Sequence, residues 1–302
     1  MPVTGPVLLA IALASHAPAA TVAAAPAATW NAVEFGRSKP PYKMNHDGIE
    51  VTINVPPPSE EESKAMTVVR APGFAPFTIE ERVAGGQYPR HVGIGKLAAR
   101  DPIPSVLLQM YTGGAHCCAA VTAIVPIEGK FHAVELPFMD GEGLDAFPPD
   151  VDGDGVVDFL RFDERFLYAF SSYARSNPPP QVLNVVGGKV VDVSSRPAFA
   201  GLFEEAAAES RAVCADQAER DRNGACASYV AAAARLGRYD QAINEVGALA
   251  DNSPGIERPT QCKVELVDYE CPPGKENRFA TFTEALRFFL QKNGYAAGVS
   301  LP

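Results

Sequence analysis

The sequence predicts an α+β protein in two parts: an all-β N-terminal region of about eleven short, mostly antiparallel strands, blade- or sandwich-like, and an α-helical C-terminal region. Three observations carry this. From about residue 45 to 196 apolar residues alternate in short runs between Gly, Pro and Asp turns. After Pro197 the pattern becomes Ala- and Glu-rich and helical. Finally, 27 prolines in 302 residues favour a chain rich in turns and edges. Hydrophobic residues make up 47% and charged ones 21%, a globular composition, and the length suits about two domains. The net charge of −10 excludes a nucleic-acid binder, which needs a basic face to displace counterions.

At the N-terminus, residues 1–33 hold no Asp, Glu, Lys or Arg, and Glu34 is the first charge. Within them Val7 to Ala14, VLLAIALA, has the length of a signal-peptide apolar region, although only the terminal amine precedes it as a positive charge. Small-residue cleavage patterns follow at Ala17-Pro18-Ala19 and Thr21-Val22-Ala23. Residues 1–23 therefore read as a signal peptide and 24–44 as a linker, and the expected location is periplasmic or secreted. The apolar run is too short to span a bilayer, so no transmembrane anchor is expected.

The β-region, 45–196, begins with GIEVTINV (48–55), which alternates cleanly and stops at Pro56-Pro57-Pro58. AMTVVRA, FTIEERV, HVGIGKL, PSVLLQMY, AAVTAIVPI and KFHAVEL follow, then VVDFLRF (156–162), RFLYAF (165–170), QVLNVV (181–186) and KVVDV (189–193). The last two flank Gly187-Gly188, a two-residue hairpin turn, because glycine accepts the positive φ of primed turns.

The helical region, 197–302, opens with GLFEEAAAESRAVCADQAER (201–220) and breaks at Asp221–Gly224. ACASYVAAAARL and RYDQAINEVGALA follow on either side of Gly237. The segment around Gly237, Tyr239, Ala242 and Ile243 resembles the turn of a tetratricopeptide helix hairpin, but one copy does not make a solenoid, so it reads as an ordinary helix pair. TFTEALRFFLQKNG has Thr281 and Glu284 in capping-box spacing and stops at Asn293-Gly294. Six cysteines suit an exported, disulfide-bonded chain. Proximity favours Cys214–Cys226 and Cys262–Cys271, leaving Cys117 and Cys118.

Asp150-Val151-Asp152-Gly153-Asp154-Gly155-Val156-Val157-Asp158 is the sharpest chemical signal. Alternate carboxylates in a tight glycine-bearing loop offer hard oxygen ligands, which suit Ca²⁺. Between Lys130 and Arg161 there is no Lys or Arg, while Glu135, Asp140, Glu142 and Asp145 add negative charge. An EF-hand is excluded, since loop position twelve is Arg161 and the exit segment reads as strand.

The loop resembles the calcium loop of FG-GAP and VCBS-type β-blades. That resemblance implies side-chain ligands at Asp150, Asp152, Asp154 and Asp158 and a carbonyl ligand at Val156. A full propeller needs about twenty-eight strands, so a smaller sheet assembly is expected. Tyr111-Thr112-Gly113-Gly114-Ala115-His116-Cys117-Cys118, together with the loop, is similar to exported bacterial proteins of uncharacterised function that pair GGAHCC with such a loop. No cysteine is spaced as C-x-x-C, and no G-x-S-x-G or H-E-x-x-H motif occurs.

The functional expectation is an exported, calcium-binding, non-enzymatic binding or structural protein of the bacterial envelope, whose partner is a protein or glycan. Two alternatives stand beside it. One is a metal-dependent envelope hydrolase using the acidic loop and His116; the other is a thiol redox sensor at Cys117 and Cys118.

Overall fold

A computed structural model describes residues 28–33, 41–55, 63–83, 88–111, 117–141, 143–252, 260–264, 267 and 271–296. The expected signal peptide, 1–23, lies outside the described residues. The segment expected as a linker contributes two strands instead. β1 (Thr29–Ala32) pairs antiparallel with β6 (Tyr88–Gly95), and β2 (Tyr42–His46) opens a four-stranded meander with β3 (Ile49–Asn54), β4 (Ser63–Arg70) and β5 (Phe77–Val83). The β2–β3 turn places Asp47 at φ 46 and Gly48 at φ 78, left-handed values that Asp and Gly accept most readily.

The second sheet is built from β6 (Tyr88–Gly95), β7 (Ser105–Tyr111), β8 (Cys117–Ile127), β9 (Lys130–Glu135) and β10 (Met139–Asp140), with β1 at one edge. β8 is long enough to pair with β9 along its C-terminal half and with β10 near its start. Six consecutive residues of β7, Ser105–Met110, are buried, the signature of a strand covered on both faces. One face packs on the meander through Ile49, Val51, Ile53, Val92, Ile94, Val106 and Leu108. The other packs Leu107, Val121 and Ala123 on Phe159, Leu183 and Val185 of a third sheet. That sheet is β11 (Phe159–Phe162), β12 (Pro180–Val186) and β13 (Lys189–Asp192), antiparallel throughout, with Gly187-Gly188 turning β12 into β13 as expected.

Four helices are described: α1 (Ala200–Ala215), α2 (Asn223–Arg235), α3 (Tyr239–Leu249) and α4 (Phe282–Lys292). A short ribbon, β14 (Thr260–Cys262) with β15 (Glu276–Arg278), precedes α4. α1 buries Phe203, Ala207, Ser210 and Cys214, one stripe at helical spacing. α2 is buried from Asn223 to Ala233, and its alanines let neighbouring backbones approach closely. These helices share their core with the third sheet and its β11–β12 connection: Val182, Val193, Phe166 and Phe170 join Phe203, Val230, Leu286 and Phe289. β12 is thus covered on both faces, Val182 toward the helices and Leu183 toward the central sheet. No helix among the described residues is long and apolar enough to cross a membrane.

Local signals are met closely where they are backbone signals. Thr281 caps α4, its side chain accepting from the Glu284 N–H at 3.2 Å, while Glu284 accepts from the Ala280 N–H at 3.0 Å. At the far end Gly294 takes φ 78, its N–H reaching Gln291 O, and the Tyr295 N–H reaches Leu290 O at 2.8 Å, the paired bonds of a Schellman stop. The disulfides Cys214–Cys226 and Cys262–Cys271 form as expected.

Three further expectations change. RFLYAF is not a strand but a 3₁₀ turn, Glu164–Phe166, followed by turns. Asp163 caps that turn by accepting from the Arg165 N–H at 3.2 Å, and Phe166 and Phe170 both enter the helical core. The strand expected over 156–162 starts only at Phe159, because Val156 to Asp158 close the acidic loop. The helix expected over 201–220 ends at Ala215, where the disulfide ties Cys214 back to α2 and the Asp216 carboxylate accepts from the Ala218 N–H at 2.9 Å.

Candidate metal centre

The acidic loop leaves the central sheet's edge and returns into β11. Its backbone is wound around its own carboxylates. Asp150 accepts from the N–H groups of Gly153 at 2.8 Å and Gly155 at 2.9 Å. Asp152 accepts from Asp154 N–H at 3.1 Å, and Asp154 from Val156 N–H at 2.8 Å. Gly153 and Gly155 take φ 75 and φ 84, so both glycines are required by the turn itself.

Two neighbours hold this loop in place. Val156 bridges Ala98 in the β6–β7 connection, with Ala99 N–H bonded to Gly155 O at 2.7 Å and Val157 N–H to Leu97 O at 2.8 Å. Those two bonds leave the Val156 carbonyl out of the bridge. Asp158 is fully buried and continues the β11–β12 register opposite Asn184. Its Oδ2 accepts from the N–H groups of Val151 at 2.8 Å and Asp152 at 3.3 Å, and its Oδ1 from Asn184 Nδ2 at 2.7 Å. Asn184 is itself buried, and its Oδ1 has no hydrogen-bond partner among the described residues.

Of the five expected ligand positions, three side chains converge: carboxylate oxygens of Asp150, Asp152 and Asp158 lie within 4.8 Å of one another. Asp154 turns away toward Arg196, whose Nη1 lies 2.5 Å from Asp154 Oδ2 and 3.0 Å from Asp152 Oδ2. The Asp152 hydrogen bond raises the Arg196 pKa further above its ordinary value. The rest of the acidic stretch does not gather here. Asp140 accepts from the Tyr173 hydroxyl at 2.5 Å, Glu135 lies beside Glu81, and Asp145 is exposed. Glu142 and His116 lie outside the described residues. Cys117 and Cys118 begin β8, with Cys117 opposite Asp140.

A second charged cluster went unseen in the sequence. At the seam between the third sheet and the helices, Arg165 forks onto Asp163, Nε to Oδ1 at 2.7 Å and Nη2 to Oδ2 at 2.5 Å. The Tyr295 hydroxyl donates to Asp163 Oδ2 at 2.8 Å. Burial pushes the Tyr295 hydroxyl strongly up, and the Asp163 charge adds to it. Arg235 lies 4.3 Å over the Tyr295 ring and reaches Asp192 at 2.6 Å. Burial works against the Asp192 charge, but hydrogen bonding from Ser194 and the Arg235 charge together hold its pKa below the ordinary value.

The class these features define is a three-sheet β-region closed by a helical cap, with one oxygen-lined acidic loop between the central and third sheets. Residues 203–294, the helical part, match the family model described as the sll0997 C-terminal domain. Over 220 residues, 70% of this chain, the sequence is 31% identical to the probable thylakoid lumen protein sll0997 of Synechocystis sp., covering 63% of that protein. Over 195 residues it is 32% identical to the uncharacterized protein y4bJ of Sinorhizobium fredii, covering 64% of this chain and 30% of y4bJ. The chain therefore spans less than two thirds of either relative's length. No solved structure matches it.

Proposed function

We propose that this is an exported, non-enzymatic binding or structural protein whose β-region is held by a calcium ion in the 150–158 loop. The convergence of the Asp150, Asp152 and Asp158 carboxylates carries the reading. Every donor there is a hard oxygen, as Ca²⁺ prefers, and the Val156 carbonyl is left over by its bridge. The orphaned Oδ1 of buried Asn184 adds a further unsatisfied oxygen next to Asp158. The loop's likeness to FG-GAP and VCBS-type blades supports the same assignment.

Calcium bound here supplies charge neutralisation. The chain's own residues do the rest: Asp158 and Asn184 anchor the loop to β12, and the Ala98 bridge ties it to the central sheet. An extracytoplasmic location is supported by the disulfides, which persist in oxidising compartments, and by the lumenal name of the Synechocystis relative. The partner expected is a protein or glycan of the envelope.

Thermal melting in calcium and then in excess chelator tests the reading. A ligand at a hundredfold excess over Kd stabilises by about 2.7 kcal/mol, so the melting temperature should rise clearly with calcium. Asp152→Ala should abolish that rise. An unchanged wild-type melting temperature, with no metal in the purified protein, would reduce the loop to an acidic turn.

A further inference from the structure

We propose that Arg196 is a tethered cation that competes with a divalent ion for Asp152, so that ion binding at the loop loosens the strap leading into the helical region. The proposal rests on the calcium reading of the same loop and adds its regulation.

Three observations carry it. The first is placement. Arg196 contacts one member of the converging carboxylate set, Asp152, and the one loop aspartate that stands outside that set, Asp154. A guanidinium already stands against two of the loop's four aspartates. Asp152 Oδ1 accepts from the Asp154 N–H and its Oδ2 from Arg196, so the guanidinium shares this carboxylate with any ion that reaches it.

The second is freedom to leave. The Arg196 side chain is 37% exposed and that of Asp154 34%, whereas the Asp152 side chain is only 6% exposed. The guanidinium can therefore withdraw from Asp152 while keeping Asp154, at no cost in burying a charge. Asp154 then acts as the resting place of Arg196 rather than as a metal ligand. The charged groups facing Asp152 are Asp150, Asp154, Asp158 and Arg196. One guanidinium offsets only one of those carboxylates, and a dication offsets two.

The third is connection. Arg196 precedes the 3₁₀ turn Pro197–Phe199 that runs directly into α1. Its N–H bonds Val193 O at 3.0 Å and its carbonyl accepts from the Phe199 N–H at 3.0 Å, while Phe199 is buried in the helical core. Through its side chain Arg196 ties the acidic loop to this strap. Displacing it from Asp152 leaves the strap tied to the loop through exposed Asp154 alone, which loosens the tie without disturbing the buried groups on either side.

Calorimetric titration of calcium into the full chain tests the competition. Arg196→Gln should bind calcium about tenfold more tightly than wild type, because a nearby positive charge is removed from a dication site. Arg196→Lys, which keeps the charge, should stay within about twofold. In wild type, calcium should speed hydrogen exchange at the Arg196 and Phe199 amides several-fold, and in Arg196→Gln the two amides should exchange at one rate with or without it. Equal or weaker affinity in Arg196→Gln overturns the competition while leaving the calcium site standing. Binding by neither protein overturns the calcium reading and the competition with it.

Discussion

At the acidic loop Arg196 divides itself between the buried side chain of Asp152 and the half-exposed one of Asp154, whereas at the strand–helix seam Arg165 forks onto the single carboxylate of Asp163, under the Tyr295 hydroxyl. The chemistry is the same, guanidinium to carboxylate at 2.5–3.0 Å, but the settings differ. Asp163 is 1% exposed and fully enclosed by the Arg165 fork and the Tyr295 hydroxyl. A buried carboxylate needs all its partners, since a stranded charge costs several kcal/mol. Asp154, its side chain 34% exposed, has water beside its guanidinium, so that pair contributes little. One cluster is therefore a lock and the other is suited to exchange.

The strongest way to break this comparison is Asp163→Ala. It leaves the buried Tyr295 hydroxyl without its acceptor and the 3₁₀ turn without its cap, while Arg165, its side chain 44% exposed, can turn to water, and it should cost about 2–4 kcal/mol, read by denaturant unfolding. A cost below that of a loop substitution would mean that burial does not distinguish the two clusters. Tyr295→Phe removes one hydrogen bond to the same carboxylate and should cost about 1–3 kcal/mol, since it leaves a charged acceptor short of a donor.

Glu81 on β5 sharpens the point as a carboxylate without a guanidinium. Its Oε2 is buried with no hydrogen-bond partner among the described residues, and burial, with the Glu135 charge, pushes its pKa from 4.5 up to about 7. Because the folded-state value is the higher one, its contribution to stability is complete below pH 4.5 and lost as the pH rises through about 7. Glu81→Gln should therefore stabilise the protein by about 2 kcal/mol at pH 8 and change little at pH 4. A stability difference that does not vary with pH would show that Glu81 titrates normally.

The smallest effect belongs to the open pair. Without divalent ions, Asp154→Asn should cost about 0.5 kcal/mol or less, and even that should shrink in high salt. Asp163→Ala should keep its full cost in the same buffer. A salt-insensitive loss in Asp154→Asn would move the loop pair into the buried class.

Legibility followed distance along the chain. The acidic loop is nine consecutive residues, and its glycines, alternating aspartates and strand exit could be read directly. Asp154 shows where that reading stops. Its carboxylate is spaced like a ligand, yet Arg196, 42 residues on, draws it out of the cluster. Likewise nothing local marks Asn184 as the partner of Asp158, 26 residues away, or Tyr295 as the partner of Asp163, 132 residues away. RFLYAF misled for a related reason. Its apolar residues fit a strand, but Asp163 caps a turn there and the helical core takes Phe166 and Phe170.

By itself, then, the sequence determined the change from strands to helices, the Gly187-Gly188 hairpin, the Thr281 cap, the Gly294 stop and the two short-range disulfides. Each is decided by backbone geometry or chain proximity within a dozen residues or so, where the relevant free energies are local. Tertiary structure alone decided that Gly294's stop would deliver the Tyr295 hydroxyl to Asp163, that β12 would be buried on both faces, and that Arg196 would close on the acidic loop. Those contacts depend on burial, which sets both the cost of an unpaired charge and the value of pairing it, and burial exists only once distant segments have packed.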